Sequence, residues 1–183
     1  PLYKTVVYPS QNGKKITHFK TKKTISKEQL KSLQKNWGKH NKKMIVCGSL
    51  QKSSSMNNIL IELNKDPSVC ILTETTSNLF HEKFISCIDR TLERINDNAK
   101  FYPEIVITIG NSIISKKLKS LLRKNKPKEH WHVEEANRAQ DIFSSLTHFI
   151  PIDPKDFLKD FLDGYQSNKD SNFSNDWCLE FQK

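Results

Sequence analysis

Two adjacent cations, Lys116 and Lys117, open a predicted helix directly after the strand-ending run Ile109-Gly110-Asn111-Ser112. Lysine in a first helical turn opposes the positive end of the helix dipole, at about 0.3–1 kcal/mol each. The pair therefore needs an anion, and two arrangements supply one. Aimed into a cleft, the ammonium groups hold a carboxylate-bearing small molecule through charge-assisted hydrogen bonds of about 1.5–3 kcal/mol, more than the dipole penalty. Aimed outward, they join Lys119, Arg123, Lys124, Lys126 and Lys128 in one solvated basic face. Ser115 reads as the N-cap of this helix in either case.

The remaining reactive side chains say less. His130 and His132 share a strand face at i, i+2, a spacing two metal ligands can use, but His18, His40, His81 and His148 are scattered, and we expect no metal site. Glu134-Glu135 ends that strand and reads as a carboxylate pair meeting solvent. Cys47, Cys70, Cys87 and Cys178 form no CxxC pair. The first three lie in apolar segments, where a free thiol behaves as a small hydrophobe, and this fits a reducing cytoplasm. A dinucleotide site would show GxGxxG after the first strand; Gly48-Ser49-Leu50-Gln51-Lys52-Ser53 fails that pattern, although Glu74 does end the next strand. Neither GxxxxGK[ST] nor GxSxG occurs. By themselves the residues assemble no catalytic constellation.

Hydrophobic periodicity gives the elements that must hold these residues. Residues 1–25 read as a basic extended lead-in with a turn at Gln11-Asn12-Gly13. Ser26 and Gln29 form a capping box, and Leu30, Leu33 and Trp37 make the buried stripe of a helix that stops at Gly38. Met44–Gly48 reads as a strand, and Met56, Ile59, Leu60 and Leu63 as a helix packed on a sheet. The series continues with a strand at Val69–Leu72, a turn from Thr73 to Asn78, a helix through Phe84, Ile85, Ile88 and Leu92, and a strand at Ile105–Ile109. A helix at 115–124, strands near Trp131–Val133 and Phe149-Ile150, and a helix through Phe157, Leu158, Phe161 and Leu162 complete it. Strands apolar on both faces, alternating with amphipathic helices, predict an α/β Rossmann-like parallel sheet of five or six strands flanked by helices on both faces. Ile45–Cys47, Val69–Leu72 and Ile105–Ile109 are its expected interior strands. The domain is expected over 26–165, with 166–183 a polar tail leading to a further C-terminal domain.

The chain of 183 residues suits one domain and has no apolar run near the roughly 20 residues a membrane span requires. It opens on Pro1, so a longer polypeptide is expected. Its net charge of +10 is unevenly spread: residues 1–43 hold twelve lysines against the single acid Glu28, a net +11, and residues 44–183 net −1. With no arginine and few interleaved aromatics, the lead-in reads as a solvated face and linker rather than a nucleic-acid surface.

Several stretches in order resemble the central domain of a family of menaquinone-pathway enzymes, the thiamine-diphosphate-dependent MenD synthases: "PLY", "KKMIVCG", "ILTETTSNL", "PEIVITIGNSIISKKL" and "EHWHVEE". The resemblance covers about residues 1–165 and implies the middle of three domains, mainly a scaffold. The flanking N- and C-terminal domains would hold thiamine diphosphate and magnesium, so this fragment alone is expected to bind no cofactor and catalyse nothing. The complete enzyme is expected in the cytoplasm as a homo-oligomer that decarboxylates 2-oxoglutarate and adds the succinyl unit to isochorismate. Carried over from the family, Lys116 and Lys117 would lie near the substrate site, and both substrates are dicarboxylates. Two positions depart from the pattern: some members have arginine at Lys117, which alone allows planar bidentate contact, and some have arginine at Phe80. A nucleotide- or flavin-binding module and a basic nucleic-acid binder are the alternatives from other classes.

Overall fold

The computed structural model describes residues 17–18, 24–135 and 139–183. The lead-in's expected turn at Gln11-Asn12-Gly13 lies outside them. Chain order gives strand β1 (Thr17–His18), helix α1 (Lys27–Trp37), β2 (Lys43–Cys47), α2 (Ser54–Leu63), β3 (Val69–Thr73), α3 (Ile88–Ile95), β4 (Ile105–Ile109), α4 (Lys116–Lys124), β5 (Glu129–Val133), β6 (His148–Ile150), α5 (Pro154–Leu162) and α6 (Phe173–Gln182). The strands form one six-stranded sheet in the order β1-β6-β5-β4-β2-β3, and every pairing is parallel. The α/β Rossmann-like architecture is thus present.

Strand alternation sorts the core into two layers. Ile45, Cys47, Val69, Ile71, Ile107 and Trp131 face α1, α2 and α5, meeting Trp37, Leu60 and Phe161. Met44, Val46, Cys70, Leu72 and Val106 face α3, α4 and α6, meeting Leu92, Leu118 and Trp177. Every residue of β2, β3 and β4 is buried, as a sheet covered on both faces requires. The α1 capping box forms as read: the Gln29 N–H donates to Ser26 Oγ at 3.2 Å, and the Ser26 N–H donates to Gln29 Oε1 at 3.2 Å.

Three expectations are corrected. β3 is an edge strand of the sheet, not an interior one. It stays fully buried because the segment before α3 runs along its free side, with Ile85 bridging Leu72 and the Thr73 N–H donating to the Ile85 carbonyl at 3.0 Å. This also moves Phe84 and Ile85 out of α3, which starts at Ile88. Finally, the segment read as a polar tail carries α6, whose Phe173, Trp177 and Cys178 are buried in the second core layer. Its apolar residues are spaced at i, i+4, i+5 among Asn, Asp and Ser, so the stripe is short and easily read as polar.

At the opposite end of the sheet from the strand C-termini, a buried network ties the chain after α5 to β2. Lys43 and Asp66, both without side-chain exposure, pair at 3.4 Å, and Asp66 also accepts from the Tyr165 hydroxyl and the Asn168 N–H. The Ser68 N–H and hydroxyl donate to its other oxygen, at 2.8 and 2.6 Å.

Candidate functional site

In this topology the strand order reverses between β2 and β4, and ligands of open α/β sheets bind beyond the strand C-termini at such a point. Here the two loops close on one another. The Gly48 N–H donates to the Ile109 carbonyl at 2.9 Å, the Asn111 N–H to the Ser49 carbonyl at 3.0 Å, and the Ser49 N–H back to the Asn111 carbonyl. A Cβ on Gly48 would collide with the Asn111 carbonyl oxygen, and one on Gly110, at φ +72°, would come within 2.6 Å of the Ser49 carbonyl oxygen. These glycines therefore permit chain-to-chain contact rather than the approach of a phosphate. The described residues at the switch point do not fit a nucleotide, flavin or thiamine diphosphate cradle.

Two clefts lined by described residues flank this seam. The larger, of about 680 Å³, is lined by Lys52, Lys155, Glu134, Glu135 and Asp153 among others, so cations and carboxylates are mixed in it. The smaller, of about 420 Å³, is lined by Glu74, Cys87, Asp89, Ile114, Ser115 and Lys116 among others. Lys116 and Lys117 are both exposed in the first turn of α4. Only Lys116 lines the cleft; Lys117 pairs with Glu93 of α3 across the surface.

Carboxylates resolve the mismatch between lysine and helix dipole. Glu74, just past β3, accepts with Oε1 from the Ile114 and Ser115 N–H groups, each at 2.8 Å. The Ser115 hydroxyl donates to Asp89 and accepts from the Leu118 N–H at 3.0 Å, so it caps the helix as expected. Glu93 is exposed, and the bond from Lys117 holds its carboxyl below the usual range. Among the described residues Lys116 makes no ion pair. The lysines stood out in the sequence, but the carboxylates around them did not: Glu93 pairs with Lys117, and Glu74 and Asp89 hold the residues that lead into the helix. An acid at the end of β3 was visible, but its reach over β2 to α4 depends on strand order, which periodicity does not encode.

His130 and His132 do share one face of β5, and Thr108 of β4 stands between them. Its hydroxyl lies 3.0 Å from His130 Nε2 and 2.9 Å from His132 Nδ1. Burial pushes His130 down to about 3, against the opposing pull of Asp141. The pair is neutral core, and no group of three or more metal-ligating side chains occurs among the described residues. Glu134 and Glu135 line the larger cleft instead of simply meeting solvent. Cys87, placed by its apolar neighbours in the core, is exposed at the N-cap of α3, whereas Cys178 is buried.

Residues 10–182 match the family described as "Middle domain of thiamine pyrophosphate", and the chain belongs to that family, the middle domains of thiamine pyrophosphate enzymes. It is similar to curated proteins named 2-succinyl-5-enolpyruvyl-6-hydroxy-3-cyclohexene-1-carboxylate synthase. That of Flavobacterium psychrophilum is 38% identical over all of this chain and 33% of its own length. That of Flavobacterium johnsoniae is 37% identical over 88% of this chain and 30% of its own length. A third, from Porphyromonas gingivalis, is 32% identical over 88% of this chain and 28% of its own length. The chain thus spans about a third of the relatives it matches.

Proposed function

We propose that this chain is the middle domain of a 2-succinyl-5-enolpyruvyl-6-hydroxy-3-cyclohexene-1-carboxylate synthase, a cytoplasmic, homo-oligomeric transferase of menaquinone biosynthesis. The observation that carries this reading is identity of 37–38% to synthases of that name over 88% and 100% of the chain. The complete enzyme decarboxylates 2-oxoglutarate and joins the succinyl unit to isochorismate, with thiamine diphosphate and magnesium held by the N- and C-terminal domains. The middle domain contributes scaffold and one edge of the substrate site.

In this reading Lys116 meets a substrate carboxylate directly, since it lines a cleft at the strand C-termini and has no internal ion-pair partner among the described residues. Lys117 joins it by exchanging Glu93 for the substrate. That exchange is easy, because exposed ion pairs are worth only about 0–1 kcal/mol. In the complete enzyme Lys116→Ala lowers kcat/KM by roughly 5- to 150-fold, the 1–3 kcal/mol of one charged hydrogen bond, with little change in unfolding midpoint. Lys117→Ala has the smaller effect. Kinetics within twofold of wild type for both variants would return the lysines to a solvated face. The 183-residue chain alone should give no calorimetric signal with thiamine diphosphate and magnesium; micromolar binding would contradict the division of labour.

The basic cluster around α4 gives a nucleic-acid role little support, because Lys117, Lys124 and Lys128 are paired with Glu93, Asp97 and Glu104.

A further inference from the structure

Glu74 meets the chain entering α4 with an internal carboxylate. A helix N-terminus followed by two lysines presents unsatisfied N–H groups beside positive charge. Here a single internal carboxylate oxygen takes the Ile114 and Ser115 N–H groups, both at 2.8 Å. The bracket is stiff at its own base. The Glu74 N–H donates to the Cys47 carbonyl at 3.1 Å, and its carbonyl accepts from the Ser77 N–H at 2.9 Å and the Ser77 hydroxyl at 2.7 Å. Glu74 thus connects the end of β3, over the end of β2, to the start of α4.

We infer that Glu74 is a positioning residue for Lys116 and tunes how strongly the Lys116 cleft holds a carboxylate. The inference rests on the proposed role of Lys116. Two consequences follow from the geometry. By fixing the backbone at 114 and 115, Glu74 fixes the point from which the Lys116 side chain departs. By taking the Ile114 and Ser115 N–H groups just ahead of the first helical turn, it removes these two donors from competition and leaves the Lys116 ammonium to recognise the substrate. Glu74 and Asp89 together also lower the local positive potential, which disfavours small inorganic anions in a cleft meant for an organic acid.

The two consequences separate experimentally. Glu74→Gln keeps an acceptor oxygen and removes the charge, whereas Glu74→Ala removes both. In the complete enzyme, hydrogen exchange of the peptide covering residues 110–118 should be at least tenfold faster in Glu74→Ala and near wild type in Glu74→Gln. Equal exchange in all three proteins overturns the positioning role. For the substrate whose use Lys116→Ala impairs, Glu74→Gln should lower KM about three- to tenfold with kcat unchanged, as expected from removing one partly screened like charge. Inorganic phosphate should become a better competitor in the same variant. An unchanged KM together with unchanged phosphate inhibition overturns the tuning role. Failure of the Lys116 reading is a separate result: Lys116→Ala would be kinetically silent while the exchange difference persisted.

Discussion

Histidine shows how far a residue's surroundings can depart from what its type suggests. Burial lowers the proton affinity of His40, His130, His132 and His148, so each tends to stay neutral in the fold. The unfolded chain protonates the same residues near pH 6.5. Their contribution is therefore complete above that pH and is lost as pH falls below it, because the unfolded state then binds more protons. For His130 the loss runs from about 6.5 down to about 3. Urea unfolding between pH 7 and pH 5 should show a steadily falling midpoint, as the unfolding free energy drops by up to about 1.4 kcal/mol per pH unit for each histidine. His130→Gln should flatten the slope; a wild-type midpoint independent of pH in that range would contradict the assignment. The spacing of His130 and His132 was plain in the sequence. Their confinement was not, because Thr108 and Asp141 lie on other segments that only the fold brings to them.

Among the elements, the regular ones were legible and the junctions were not. The α1 capping box, the α2 stripe and the fully buried strands β2 and β4 follow directly from local pattern, because each depends on residues within one turn or one strand. The edge position of β3, the strand-like course of Ile85 and the packing of α6 depend on partners far away in sequence. The seam between the β2 and β4 loops is of the second kind. Gly48 fails the glycine pattern of a dinucleotide loop, and its missing side chain instead makes room for the Asn111 carbonyl. Gly48→Ala should therefore destabilise the domain by about 1–3 kcal/mol, as overpacking against backbone does. A urea midpoint matching wild type would mean that the loops can part at little cost.

At the level of the whole molecule, three layers, parallel strands and similarity along the full chain agree on one architecture, and the proposed substrate cleft lies at the C-terminal end of the strands. The opposite end is fastened by the buried Lys43, Asp66 and Tyr165 network. The sheet has two borders. One is β1, of two residues, and the other is β3, covered by Ile85 and α6. A long bare strand border recruits the border of another molecule, and apolar flanks hasten that growth. Removing residues 166–183 would strip α6 from β3 and expose Leu72 and Cys70 beneath it. Sedimentation velocity on the shortened chain should show growing aggregates where the 183-residue chain stays monodisperse; equal monodispersity would count against the idea. The helix that looked like a tail is thus the cover of one apolar sheet face, and trimming it for expression should cost the domain its solubility.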